Sequence, residues 1–272
     1  MIYCIQHFVG LYPRIYNERN DTMAYYLITF SPTGGTKRTA EILASAIADR
    51  WEHINLLHST SDTDLTSDDI CLIAVPSFGG RIPTTSAERL VKIHANGARA
   101  ILVCVYGNRA YEDTLSELQD VLVSCGFDCI AAVSAVAEHS IIREFGANRP
   151  DADDFAELIG FGEKIKERLE NSADNPLSVP GSHGTYKPYK NTPFVPAETD
   201  DCTNCGTCIQ SCPTAAIGDT PDAIDPERCI KCMRCAAVCP TGARKLDAKI
   251  YAALHERLAT VCKTRKANEL FL

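Results

Sequence analysis

YYLITFSPTGGTKRTAEILASAIADR, residues 25–50, joins a short apolar run to a helical segment through a loop of small and hydroxylated residues. The run YYLITF (25–30) reads as a buried strand, SPTGGT as a turn, and KRTAEILASAIADR as a helix. The same alternation continues down the chain. HINLL (53–57) is a second short strand, and ICLIAV (70–75) is a third, near-continuously apolar as a strand covered on both faces should be. A helix near 84–95 precedes AILVCVY (100–106), and a helix over 111–125 precedes FDCIAAVSAV (127–136). The last helix of the series, DADDFAELIGFGEKIKERLE (151–170), follows Pro150 and carries acids in its first turn, where they complement the helix dipole. Strands alternating with helices in this way predict an α/β fold, a doubly wound parallel sheet of five strands.

Ligands of such sheets bind beyond the carboxyl ends of the strands. Three loops there have unusual composition. Ser31-Pro32-Thr33-Gly34-Gly35-Thr36 offers three hydroxyls, two glycines and a helix N-terminus, which together suit an anion. It lacks the GK[ST] element of a P-loop and is not G-x-G-x-x-G, so a monophosphate is its natural guest. Pro76-Ser77-Phe78-Gly79-Gly80-Arg81-Ile82-Pro83 pairs glycines, which let backbone approach a planar ring, with an aromatic residue to stack on it. Arg81 is placed to stabilise negative charge on a reduced flavin. Tyr106-Gly107-Asn108-Arg109-Ala110-Tyr111-Glu112 adds aromatic and hydrogen-bonding groups. A phosphate loop beside two glycine-aromatic loops suits FMN. Taken singly, each loop is equally well a packing turn.

The last third carries a different signal. CTNCGTCIQSCP (202–213) and CIKCMRCAAVCP (229–240) are both C-x2-C-x2-C-x3-C-P. This is the bacterial spacing for a pair of [4Fe–4S] clusters, in which the fourth cysteine of each run ligates the other cluster. Cys202, Cys205, Cys208 and Cys239 are therefore expected to hold one cluster, and Cys229, Cys232, Cys235 and Cys212 the other. Zinc would leave the third and fourth cysteine of each run unexplained, and a disulfide framework belongs to small secreted chains. Cys4, Cys71, Cys104, Cys125, Cys129 and Cys262 show no ligand spacing; Cys71 and Cys104, inside strands, read as small buried hydrophobes.

The chain has 272 residues and a net charge of −8, with 45% hydrophobic and 23% charged residues. The acidity lies in residues 1–199, whose 26 acidic and 17 basic side chains argue against a nucleic-acid partner. No apolar stretch is long enough to span a bilayer. Thiolate ligands and the lack of a secretory pattern favour a reducing cytoplasm. Residues 1–23 are expected to be an N-terminal extension, with Met23 the working start. The FMN domain then covers 24–171. SADNPLSVPGSHGTYKPYKNTPFVPAET (172–199) has five prolines and reads as a semi-rigid linker, with Tyr186, Tyr189 and Phe194 available to dock on a neighbouring domain. The cluster domain covers 200–246. The remainder, 247–272, is expected to be a C-terminal helix, from the helical spacing of AKIYAALHERLATVCK (248–263).

At SPTGGTKRTAEILA the chain resembles flavodoxins, with Gly35 where their S/T-x-T-G-N-T loop commonly has Asn. At PSFGGRIP, VYGNRAYED, AEHSI (137–141) and the RPDADD segment it resembles more closely a family of flavodoxin–bacterial ferredoxin fusions, iron–sulfur flavoproteins, over residues 25–246. That resemblance implies a flavodoxin-like sheet domain followed by a small α+β bacterial-ferredoxin domain. It implies FMN phosphate at Ser31, Thr33, Gly34, Gly35 and Thr36, and ring contacts at Phe78, Gly79, Gly80, Tyr106, Gly107 and Asn108. His139 in AEHSI reads as a hydrogen-bonded structural residue rather than a proton donor. The function implied is electron transfer, relaying single electrons between FMN and two clusters, with redox proteins as partners. The alternative is a flavin-dependent reductase of a small substrate fed through its clusters. A redox sensor is a third reading, and no DNA-binding motif supports it.

Overall fold

The computed structural model describes residues 23–58, 61–171, 175–189 and 194–272. The expected extension before Met23, with its Cys4, lies outside the described residues, as do 172–174 and 190–193 of the expected linker. The first half runs β1 (Tyr25–Thr29), α1 (Gly35–Ser45), β2 (Glu52–Asn55), β3 (Thr63–Asp64), β4 (Ile70–Pro76), α2 (Thr84–Leu90), β5 (Ile93–His94), β6 (Arg99–Tyr106), α3 (Thr114–Ser124), β7 (Asp128–Val136) and α4 (Ala152–Asn171). The second half adds β8 (Ala197–Glu198), α5 (Thr207–Gln210), α6 (Arg234–Ala237), β9 (Arg244–Lys245), α7 (Ala248–Cys262) and β10 (Glu269–Phe271).

The main sheet has the order β10-β7-β6-β4-β1-β2. β2, β1, β4, β6 and β7 pair in parallel. Counted among themselves these five have the order 2-1-3-4-5, the flavodoxin-like version of the doubly wound sheet. Successive residues of a strand face opposite sides, and both sides are filled. Ile28, Phe30, Ile73 and Leu102 pack toward α3, with Leu115, Leu118 and Leu122. Leu27, Leu72, Ile101 and Val103 pack toward α1 and α4, with Leu43, Leu158 and Ile165. Each fully buried aliphatic side chain contributes about 1.5–3 kcal/mol. Gly162 lets α4 lie close on α1, since a Cβ there would stand 2.6 Å from that of Ala46.

Two expectations need correction. The helix expected near 84–95 ends at Leu90, and Ile93–His94 pairs instead with Thr63–Asp64 as a small parallel ribbon. The C-terminal segment is more than a helix: α7 stops at Cys262, and the chain returns to the first domain, where β10 lies antiparallel on β7 with Leu270 opposite Val133. The cluster domain is thus spliced between α4 and the last strand of the sheet.

The proline-rich segment is a strap against α3 and the first core. Leu177 and Val179 are buried in that core. Asp113 accepts from the amides of Ser182 and Lys187, and Asp120 from Gly184 N–H, His183 and Tyr186. Burial pushes the Asp120 carboxyl up, but the Tyr186, His183 and Gly184 bonds outweigh it and hold the group below the usual carboxylate range.

Candidate functional site

Four loops meet at the carboxyl edge of the sheet, after β1, β4, β6 and β7. They enclose an open cleft of about 640 Å³, counting its mouth. Pro32, Thr33, Gly35 and Thr36 come from the first loop; Pro76, Ser77, Phe78 and Gly79 from the second. Tyr106, Gly107, Arg109 and Ala110 come from the third, and Ala137, Glu138, His139 and Ser140 from the fourth. Gly34 takes φ 94° to turn the chain into α1, whose first-turn amides have no intrahelical acceptor. Ser31 Oγ accepts from Lys37 N–H at 2.9 Å and so fastens the loop to the helix. A turn rich in hydroxyls and small residues at one end, and Phe78 and Tyr106 farther along, fit a phosphate-bearing planar ring.

Of the residues expected in this site, Thr33, Gly35, Thr36, Phe78, Gly79, Tyr106 and Gly107 line the cleft. Ser31, Gly34, Gly80, Arg81 and Asn108 do not. Gly80, at φ 93°, accommodates Glu112, whose Oε2 would be 1.9 Å from an added Cβ. Arg81 is committed elsewhere: its guanidinium holds Glu117 at 2.7 and 2.6 Å, donates to Lys187 O at 2.7 Å, and lies over the rings of Tyr186 and Tyr189. It anchors the strap. Asn108, buried with φ 59°, donates to Cys262 O and Thr264 O and accepts from Lys266 N–H, which pins the C-terminal segment.

His139 enters the cleft, where the sequence suggested only a structural histidine. Its Nδ1 accepts from Ile141 N–H at 3.2 Å and Ile142 N–H at 3.0 Å, so the neutral ring carries its proton on Nε2. Burial, then the neighbouring Arg109 charge, lower its pKa to about 4. Gly107 makes room for the ring, since a Cβ there would stand 2.5 Å from it. Arg109 is held by Glu112 at 3.1 and 3.0 Å. Both lay in segments quoted from the sequence, but only the loop-to-loop contact after β7 reveals their position.

The cysteine runs build two further clefts. One, of about 340 Å³ counting its mouth, is lined by Cys202, Cys205, Cys208 and Cys239; the other, of about 370 Å³ on the same count, by Cys212, Cys229, Cys232 and Cys235. Each therefore gathers three cysteines of one run and the fourth of the other, the crossed set that the spacing suggests. None of the eight is in a disulfide. They surround a space, and among the described residues no group of three or more His, Cys, Asp or Glu converges on a single ion. The repeat is structural as well as sequential. Asn204, Gly206 and Ala215 have positive φ, as do their counterparts Lys231, Met233 and Gly242, and α5 corresponds to α6. These left-handed turns fold each run around its cleft. Buried Arg244 donates to Cys208 Sγ at 3.5 Å and to Pro196 O at 3.1 Å. Outside the runs, burial pushes the Cys71 and Cys104 thiols up, as expected of inert core cysteines.

Residues 195–218 and 223–245 match the family described as 4Fe-4S binding domain. The two matched repeats and the two cysteine clefts support two [4Fe–4S] clusters. No curated protein matches the chain. Among solved structures, the chain is similar to a flavodoxin of Streptococcus pneumonia TIGR4, with 19% identity, 53% of this chain and 99% of that one covered, and a TM-score of 0.38. A Fusobacterium nucleatum flavodoxin bound to flavin mononucleotide gives 14%, 54%, 99% and 0.36, and an NAD(P)H:quinone oxidoreductase from Methanothermobacter marburgensis gives 13%, 55%, 96% and 0.36. The flavodoxin-like description rests on the strand order above. Fold and cysteine domain together indicate an electron-transfer or redox role. Among the described residues no helix is long and apolar enough to cross a membrane.

Proposed function

We propose that the chain is an electron carrier that relays single electrons between FMN in the four-loop cleft and two cubane clusters in the cysteine clefts. FMN exchanges two electrons singly, and each cluster exchanges one. The observation that carries this reading is the seating of the cysteine domain on the cleft: Cys232 lines both a cysteine cleft and the cleft at the strand ends. Thr33, Gly35, Thr36 and the α1 amides would take the phosphate, and Phe78, Gly79, Tyr106 and Gly107 would flank the ring. The eight motif cysteines would supply thiolates, and their burial and hydrogen bonds would tune the potentials. The partners would be redox proteins.

One observation favours the second reading, a flavin-dependent reductase of a small substrate: His139 presents an N–H in the cleft with Arg109 beside it. Sustained reduction of small acceptors without a protein partner would favour that enzyme. The carrier reading itself is tested by composition. The anaerobically prepared chain should contain about eight iron, eight sulfide and one FMN; half that iron, or FAD or no flavin, would contradict it.

A further inference from the structure

We infer that the two clusters have unequal stations: the one held by Cys212, Cys229, Cys232 and Cys235 is the flavin-side terminal, and the one held by Cys202, Cys205, Cys208 and Cys239 is the outward terminal that meets the redox partner. The inference rests on the proposed pairing of clusters with FMN and adds the order of the relay.

Three contacts place the second set against the sheet domain. Cys232 itself lines the cleft at the strand ends, next to the loops that carry Thr33, Phe78 and His139. Ile230, two residues before it, packs against the sheet's core. Arg234, two residues after it, donates from Nη1 to Pro32 O at 3.1 Å, tying α6 to the phosphate loop. A fourth contact lies nearby, where Arg89 of α2 donates to Pro213 O beside Cys212. The first set has a different neighbourhood. Its cleft is lined entirely by residues 198–244, none of which lines the cleft at the strand ends. Cys205 is exposed.

Arg234 has a further peculiarity. Its Nε is buried and has no hydrogen-bond partner among the described residues. A buried donor without a partner is costly, so an unfilled N–H at this seam fits an acceptor atom supplied by a bound cofactor. Arg234 lines the second cysteine cleft while holding the phosphate loop. It is a positioning residue for the junction between the two cofactors.

In the direction from partner to flavin, one electron passes from an external low-potential protein to the outward cluster. That electron then passes to the flavin-side cluster, and from it to FMN. At each transfer the donor is oxidised by one electron and the acceptor reduced by one, so two passages fully reduce one FMN, with two protons drawn from solvent or a neighbouring side chain.

The test uses the holoprotein with iron, sulfide and flavin contents measured first; absence of flavin or of both clusters would defeat the carrier reading itself, separately from the order proposed here. Clusters are reduced by a flash of photo-excited deazaflavin, and the recovery of cluster absorbance that accompanies flavin bleaching is followed. Cys235→Ser should abolish this coupled transfer, while Cys205→Ser should cut its extent only by the share of electrons that enter at the outward cluster. The reverse pattern, or equal loss in both variants, overturns the order. Should either substitution collapse the whole cysteine domain, Arg234 decides. Arg234→Gln, with both cluster EPR signals and flavin content unchanged, should slow the transfer at least tenfold, and Arg234→Lys should recover part of it. An unchanged rate in Arg234→Gln overturns the assignment of that seam.

Discussion

His139 is held in place by backbone contacts. Two backbone amides fix Nδ1 as an acceptor, and Gly107 leaves space against which the ring packs. Because its folded pKa, about 4, lies below the ordinary 6.5, the native state prefers the neutral ring. Between those values the unfolded chain binds more protons than the folded one, so stability falls as pH drops through the window. The His139→Gln variant should therefore lose less melting temperature than the parent between pH 6.5 and pH 4. Melting curves across that range check it, and parallel curves would show that the ring titrates normally. Other residues of the site were less legible. Arg81 and Asn108 sit in sequence beside cleft residues, yet each turns away to satisfy distant partners, Glu117 and the C-terminal segment. Local composition identifies a loop; which of its side chains turn inward depends on ion-pair and carbonyl partners far along the chain.

At the scale of elements, β1, β4, β6 and β7 were readable because they are largely apolar runs with helical periodicity between them, whereas β2, expected over 53–57, is the more polar Glu52–Asn55. β10 was not readable. Its three residues carry no periodicity, and its place is set by a buried polar network around Asp154. Arg149 holds Asp154, Asn268 donates to it at 3.0 Å, and Asn268 Oδ1 accepts from Val136 N–H at 2.9 Å. Burial pushes the Asp154 carboxyl up, but the Arg149 bond and its other partners bring it below the usual range. Asp154→Ala would leave Arg149 buried without its counter-charge, a loss of about 3–5 kcal/mol. Chemical denaturation should show that loss, with amide exchange speeding first in β10; a cost under about 1 kcal/mol would mean that the tail is held by other contacts. The docking of the strap was legible only in part, for a related reason. Its prolines do mark a chain without regular structure, but Leu177 and Val179 and the carboxylates of Asp113 and Asp120 dock it along α3.

At the scale of the molecule, the cysteine domain leaves the sheet after α4 and is closed by a tail that rejoins the same sheet at β7. Both ends of that domain are therefore tied to the body that carries the four-loop cleft. The cysteine spacing made the crossed clefts legible residue by residue, whereas the seating of one cleft on the other domain depends on Ile230 and Arg234, at positions the motif leaves open, and on Arg89, outside it. On the proposed reading, this arrangement would make the relay a property of a single chain. Its most direct test is the rate of flavin bleaching after flash reduction of the clusters, measured anaerobically over a tenfold range of protein concentration. The account predicts a first-order rate that does not change with dilution. A rate that falls in proportion to protein concentration would mean that electrons pass between chains, and would contradict it.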